Sequence, residues 1–363
     1  MLDGILKVGI MGCGNISSIY IENLKKYDFV QLIALSDLDF EKARLQAEKY
    51  GIPQVYKPEE LLGDPEVDLI VNLTTPDAHF SVSEQIVSSH KHVYVEKPLT
   101  IEKEDAKKLM LLARNNKVRI GCAPDTFLGG AIQTARELID RGAIGKPIAV
   151  HASMLCHGHE NWHPAPQFYY QYGGGPLFDM GPYYLTALVH LIGPVKQVTA
   201  MSSITFPERT ITSRQCFGET IKVETPTHIN GLLKFANGAV GHLVTSFDVW
   251  HTKLPCIEIY GTEGTMLVPD PNGYNGTIQI RKKDNPEWAE QPITYGYTEN
   301  SRGIGVSEMA RSILMGSRHR ANEELAFHVL DIMHSILESA EAGVHIDLES
   351  TCGKPEPMGN LAN

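Results

Sequence analysis

The chain has 363 residues, 42% apolar and 21% charged, a composition ordinary for a globular protein and a length that suits two cores better than one. Its formal net charge of -11 argues against nucleic acid or anionic membrane as a partner, because phosphate recognition needs clustered lysine and arginine. It has no apolar run of membrane-spanning length, its apolar start at 4–10 is interrupted by Lys7, and its six cysteines form no C-x-x-C pair; a cytoplasmic protein with reduced thiols and no secretion signal is expected.

From residue 5 to about 122, β-rich runs alternate with helical stretches. Strands are predicted at 6–10, 30–36, 69–73, 92–95 and 118–122, and helices at 16–27, 40–50, 78–90 and 102–116, where apolar residues recur at helical spacing. Several of these strands are apolar on both faces, as in a parallel sheet covered by helices on each side. The pattern predicts an α/β fold, a doubly wound Rossmann sheet over 1–125.

After about 125 the rhythm changes. Helices are predicted at 129–141, stopped by Gly142, and at 176–192, between Gly173-Gly174-Gly175 and Gly193-Pro194. Strand-like runs follow at 195–206, 227–236, 239–249, 255–261, 264–268 and 276–282, with Asn237-Gly238 as a hairpin turn. Helices return at 304–316 and 323–342, and 345–363 reads as a surface tail. Residues 126–363 are therefore expected to form an α+β domain with a large, mostly antiparallel sheet.

Two short strings carry chemistry. In Val8-Gly9-Ile10-Met11-Gly12-Cys13-Gly14-Asn15-Ile16-Ser17 an apolar strand turns through glycines into a helix. Gly12 permits the tight turn, Gly14 lets backbone approach a pyrophosphate, and amides from Asn15 and Ile16 onward point at its charge. Ser17 replaces the usual third glycine and is small enough to keep helix and strand close. About twenty residues on, Asp37 ends the second strand, where a carboxylate accepts ribose hydroxyls and repels a 2′-phosphate; the cofactor expected is NAD. The alternative for Asp37 is a cap on the next helix. The second string, Val93-Tyr94-Val95-Glu96-Lys97-Pro98, ends a strand with a lysine, and the proline restricts that lysine to extended or turn geometry. Partial desolvation there suits acid/base work; the bland alternative is a solvated lysine beside Glu96.

With the segments Asn72-Leu73-Thr74-Thr75-Pro76 and Gly173-Gly174-Gly175-Pro176-Leu177-Phe178-Asp179-Met180-Gly181-Pro182-Tyr183 added to these, the chain resembles the Gfo/Idh/MocA oxidoreductases over nearly its full length. The resemblance implies an N-terminal Rossmann domain and a C-terminal open-faced sheet that often serves as an interface in dimers or tetramers. It implies oxidation or reduction of sugars, inositols and their derivatives by pyridine nucleotide, with Thr74, Thr75, Pro76 and Glu96 beside the cofactor. Lys97 then lies next to nicotinamide and substrate, and Asp179 close by.

Asp179 and Tyr183 are four apart on a predicted helix and share a face. Tyrosine stands where the family frequently has histidine, which leaves the proton acceptor open between Tyr183 and Lys97, with Asp179 orienting the substrate. Tyr183 is otherwise a core aromatic. The string His157-Gly158-His159-Glu160-Asn161-Trp162-His163 lies between a strand and the glycine-rich helix. A substrate loop is favoured there over a metal site or a plain loop, with His163 as a substrate contact or an alternative proton acceptor. Asp125 and Thr126, after the last Rossmann strand, are further substrate candidates. No metal is expected. The leading expectation is an NAD-dependent dehydrogenase of a secondary hydroxyl on a sugar, glycoside or cyclic polyol. The alternatives are a redox-neutral, NAD-dependent glycoside hydrolase and a non-catalytic sensor on the same fold.

Overall fold

The computed structural model describes residues 4–359, which fall into two compact units. The first holds the described residues up to Gly129, then Tyr297–Phe327 and the described residues from Met358. The second holds Gly130–Gly296 and His328–Pro357. A division at 125/126 was expected; the first unit runs to Gly129 and takes back residues 297–327.

In the first unit β1 (Leu6–Met11), β2 (Val30–Ser36), β3 (Gln54–Tyr56), β4 (Leu69–Asn72), β5 (His92–Val95) and β6 (Ile120–Cys122) form a parallel sheet in the order β3-β2-β1-β4-β5-β6. The connections run through α1 (Ser17–Leu24), α2 (Phe40–Tyr50), α3 (Pro58–Gly63), α4 (His79–Ser88) and α5 (Lys103–Asn116). β1, β4 and β5 are almost wholly buried, as strands covered on both faces must be. The strand order reverses between β1 and β4, the switch point where open α/β sheets bind ligands at the carboxyl ends of their strands.

The second unit contains α6 (Gly130–Asp140), β7 (Pro147–Leu155), α7 (Gly175–Leu191), β8 (Val195–Ser203), β9 (Glu208–Thr210), β10 (Thr220–Lys222), β11 (His228–Phe235), β12 (Val240–Ser246), β13 (Ile257–Gly261), β14 (Gly264–Val268), β15 (Ile278–Lys282) and β16 (Ala289–Gln291). Later in the chain come α8 (Ile304–Leu314), which belongs to the first unit, α9 (Glu323–Ala342), which belongs to the second from His328 on, and β17 (Ile346–Asp347) of the second. Nine strands make one sheet in the order β16-β15-β14-β13-β7-β12-β11-β8-β17, antiparallel throughout except between β7 and β12. Alternation sorts its residues. Ile229, Leu233, Phe235, Leu243, Val150 and Ile259 are buried on one face, whereas Met201, Leu232 and Val240 are exposed on the other. That outer face also carries a hydrogen-bonded row in which His228 meets Asn230, Asn230 meets His242, and His242 meets His151 at 2.9 Å.

The returning segment belongs to the first unit for local reasons. Asp125 is buried, and its Oδ2 accepts the Gly303 and Gly305 N–H groups at 2.8 and 3.0 Å, at the start of α8. Cys122 N–H donates to Ala321 O, extending the β6 edge, and Asn23 Nδ2 donates to Asn300 O and Arg302 O. The expected surface tail is only partly superficial, because Cys352 and Met358 are buried.

Candidate active site

In the first unit the nucleotide-site candidates lie together at the carboxyl ends of the parallel strands. Gly12 follows β1 with φ of 104°, and a Cβ there would sit 2.6 Å from Leu73 O, so backbone from the β4 loop occupies the side-chain space. Gly14 is different: it and Asn15 are exposed, and a Cβ on Gly14 would meet nothing within 4 Å. The turn is held from below, since Ser17 Oγ and N–H both donate to Gly14 O, at 2.7 and 3.0 Å. Ile16 caps α1 without a side-chain hydrogen bond, so the helix start is not closed by the protein's own polar side chain. Open space above a glycine, beside an uncapped helix start, fits a pyrophosphate.

Asp37 follows β2 and serves the turn. Its Oδ2 accepts Cys13 N–H at 2.7 Å and its Oδ1 accepts Asp39 N–H at 2.9 Å. The cap of α2 is Asp39, which makes no side-chain cap bond, so Asp37 braces the glycine loop rather than capping that helix. The Cys13 thiol beneath is buried, and burial pushes its pKa up to about 12, which keeps it an inert thiol.

The loops after β4 and β5 are tied to each other. Buried Asn72 donates from Nδ2 to His79 O and Ser83 Oγ, and its Oδ1 accepts Thr74 N–H and Thr74 Oγ–H. His79, also buried, contacts Pro98 O through Nδ1 at 2.7 Å and Thr74 O through Nε2 at 3.1 Å. Thr75 and Pro76 open the short helical turn 76–78. Glu96 takes Lys97 N–H on Oε2 and the Tyr20 hydroxyl on Oε1; burial raises the Tyr20 pKa far above its ordinary value, so that hydroxyl remains a donor. The Lys97-Pro98 peptide is cis. These contacts fix the backbone that carries Lys97, itself half-buried, just past the end of β5.

In the second unit α7 is apolar nearly all round, and every residue from Gly175 to Leu191 is buried except Asp179 and Met180. Asp179 is its one carboxylate, and its side chain keeps 16% of its surface accessible. Tyr183, one turn on, is 8% exposed. The structure thus separates the two: Asp179 keeps an accessible edge and Tyr183 is largely packed. The histidines of the loop before α7 do not converge. His157 stacks on Trp250, its ring centroid 3.3 Å away; His163 Nδ1 accepts Ala165 N–H, and burial pulls its pKa down. His159 is the ring that meets α7, with Nε2 3.2 Å from Asp179 Oδ2. The sequence reading singled out His163, while the ring beside Asp179 is His159; an irregular loop has no period to say which ring turns toward α7. Asp125 and Thr126, expected as substrate contacts, are both buried in the first unit, with Asp125 committed to the start of α8.

A glycine turn with open space at the switch point of a parallel sheet, with an acid after β2 and a lysine after β5, defines a dinucleotide-binding oxidoreductase. The comparisons agree. Residues 6–123 match the profile of the oxidoreductase family with an NAD-binding Rossmann fold, and residues 132–267 match the GFO/IDH/MocA C-terminal domain. The chain belongs to the Gfo/Idh/MocA family of NAD-binding oxidoreductases. It is 26% identical to myo-inositol 2-dehydrogenase of Thermotoga maritima over 75% of this chain and 80% of that one. It is also 26% identical to D-glucoside 3-dehydrogenase of Escherichia coli, over 96% and 99%. Among solved structures, an NAD binding oxidoreductase from Klebsiella pneumoniae superposes with a TM-score of 0.83 at 20% identity, covering 95% of this chain and 99% of that one. Levoglucosan dehydrogenase in complex with NADH and levoglucosan gives 0.79 at 20% identity, over 95% and 99%. Among the described residues no helix is long and apolar enough to cross a membrane.

Proposed function

We propose that this protein is an NAD-dependent dehydrogenase acting on a secondary hydroxyl of a sugar, glycoside or cyclic polyol. The observation that carries the reading is the position of Lys97, held at the end of β5 by the Glu96 and His79 contacts, in the row of strand ends that also presents Gly14 and Asp37. Bound NAD supplies the hydride acceptor. Lys97 receives the hydroxyl proton, and Asp179 orients the hydroxyl by accepting its hydrogen bond. Tyr183, mostly packed, supports α7 and Asp179. Asp37 keeps a negative charge where a 2′-phosphate would lie, which favours NAD over NADP.

The names of several relatives support the substrate class, since they act on inositol, glucosides and levoglucosan. Asp125 and Thr126 are assigned to the fold, and His163 to the loop's own turn. A homo-oligomer through the outer face of the nine-stranded sheet is supported by exposed Met201, Leu232 and Val240 there. All six cysteines are free, which supports a reducing, cytoplasmic location.

The test is absorbance of reduced nicotinamide with purified protein, NAD, and separate additions of myo-inositol, levoglucosan and methyl β-glucoside. A signal that is absent without substrate supports the reading. Silence with all three, with NAD bound and methyl β-glucoside cleaved, replaces it with the redox-neutral hydrolase.

A further inference from the structure

We propose that His159 is a positioning residue, which donates from Nε2 to Asp179 and so fixes the orientation of that carboxylate. The inference rests on the proposed reading that Asp179 faces the substrate hydroxyl.

Three observations support it. The His159 Nε2 to Asp179 Oδ2 distance is 3.2 Å, and the two side chains are only 12% and 16% exposed, so water competes weakly for the bond. The ring is confined on several sides. Tyr169, Phe247 and Trp162 lie 4.3, 4.6 and 5.2 Å from its centroid at steep interplanar angles, which leaves one direction for Nε2. The backbone beneath the ring is anchored as well. His159 N–H meets Tyr170 Oη at 3.4 Å, the Tyr170 hydroxyl donates to Glu160, and Arg209 bridges Glu160 to Asp248 and Phe247 O. That buried ionic group joins the loop, the β9 strand and the end of β12, so the imidazole is held by a scaffold independent of α7. A carboxylate on a helix turns about two bonds, and the His159 contact sets the direction of one of its oxygens. Displacement of such a group by about an ångström costs on the order of a hundredfold in rate.

The geometry selects the variants. His159→Gln places an amide N–H near the Nε2 position, His159→Asn is too short to reach, and His159→Leu fills the space without a donor. Turnover is followed as NADH formation with myo-inositol, levoglucosan and methyl β-glucoside in the full-length protein. His159→Leu and His159→Asn should lower kcat about ten- to hundredfold, with KM and NAD affinity within about twofold. His159→Gln should recover most of the loss. In an Asp179→Asn background, His159→Leu should have little further effect, because a residue acting through another is non-additive with it. Thermal melts confirm folding, and if the Leu variant fails to fold the Gln and Asn pair carries the comparison. Additive losses, or a Gln variant as impaired as Asn, overturn the inference while leaving the Asp179 reading intact. Full activity of Asp179→Asn itself overturns both.

Discussion

The two glycines after β1 look alike in sequence and differ in space, so substituting each by alanine separates the fold from the cofactor. Gly12→Ala forces an L side chain to φ of 104° and puts its Cβ 2.6 Å from Leu73 O and 2.7 Å from Leu73 C, both backbone atoms that cannot swing aside. Strain of about 1–3 kcal/mol from the backbone and a similar amount from the clash give about 2–6 kcal/mol in all. At about 2–4 °C per kcal/mol for a unit of this size, the melting temperature should fall by roughly 10 °C. Gly14→Ala carries neither cost, since its Cβ meets nothing within 4 Å and its φ is not in the left-handed region. Its apo stability should change by less than about 1 kcal/mol, with any gain coming from a stiffer unfolded chain. Its methyl would instead stand where the pyrophosphate approaches. Overpacking of about 1–3 kcal/mol corresponds to a Kd for NAD roughly 5- to 150-fold weaker. Calorimetric titration with NAD and melts of the apo protein read the two quantities separately. An alanine at 14 that binds NAD within about twofold of wild type would refute the placement of the pyrophosphate over Gly14.

Lys97→Ala should reduce turnover by several orders of magnitude while NAD affinity stays nearly unchanged, as measured by NADH formation and by calorimetry; turnover within a few-fold of wild type would remove Lys97 from the proton path. Arg209→Leu leaves Glu160 and Asp248 buried without their cation and should cost about 3–5 kcal/mol in urea unfolding, together with faster proteolysis of the 157–172 loop. Acid should weaken the fold through His328. Burial lowers its pKa to about 4, and its Nε2 accepts Val195 N–H while Nδ1 donates to Ser350 Oγ. The unfolded ring takes a proton near pH 6.5 and the folded one only near 4, so the unfolded state binds more protons between them and stability falls as pH drops through that window. From pH 7.5 to 5 this ring contributes a loss of about 2 kcal/mol, which His328→Gln should remove from the pH dependence of the urea midpoint.

What was legible in the sequence is what chemistry requires to be contiguous. A glycine turn between strand and helix, an acid at the next strand end and a Glu-Lys-Pro string each occupy a few adjacent residues, and all of them lie at strand ends in the structure. Both halves of the fold were legible from the periods of their apolar residues. The short β3 and α3 escaped because three or six residues carry too little periodicity to register. The parallel β7–β12 pairing escaped because register between strands about ninety residues apart leaves no local mark. Asp125 reads as a substrate candidate because it follows a Rossmann strand; the bonds of its Oδ2 to Gly303 and Gly305, 178 and 180 residues away, leave no mark near it in the sequence. Which of three nearby histidines meets Asp179 was hidden, because the His159 backbone is anchored through Tyr170 to an ionic group of Glu160, Arg209 and Asp248.

The commitment of Asp125 to the start of α8 has a consequence for how the chain is made. Until residues 297–327 emerge from the ribosome, the nucleotide-binding unit lacks the strand-edge partner of Cys122 and the two backbone N–H groups that Asp125 Oδ2 accepts. The intervening residues 130–296 are synthesised while that unit is still open, so they fold as a guest within an unfinished host. The β6 edge and the Asp125 carboxylate therefore gain these partners only after all of residues 130–296 have been made.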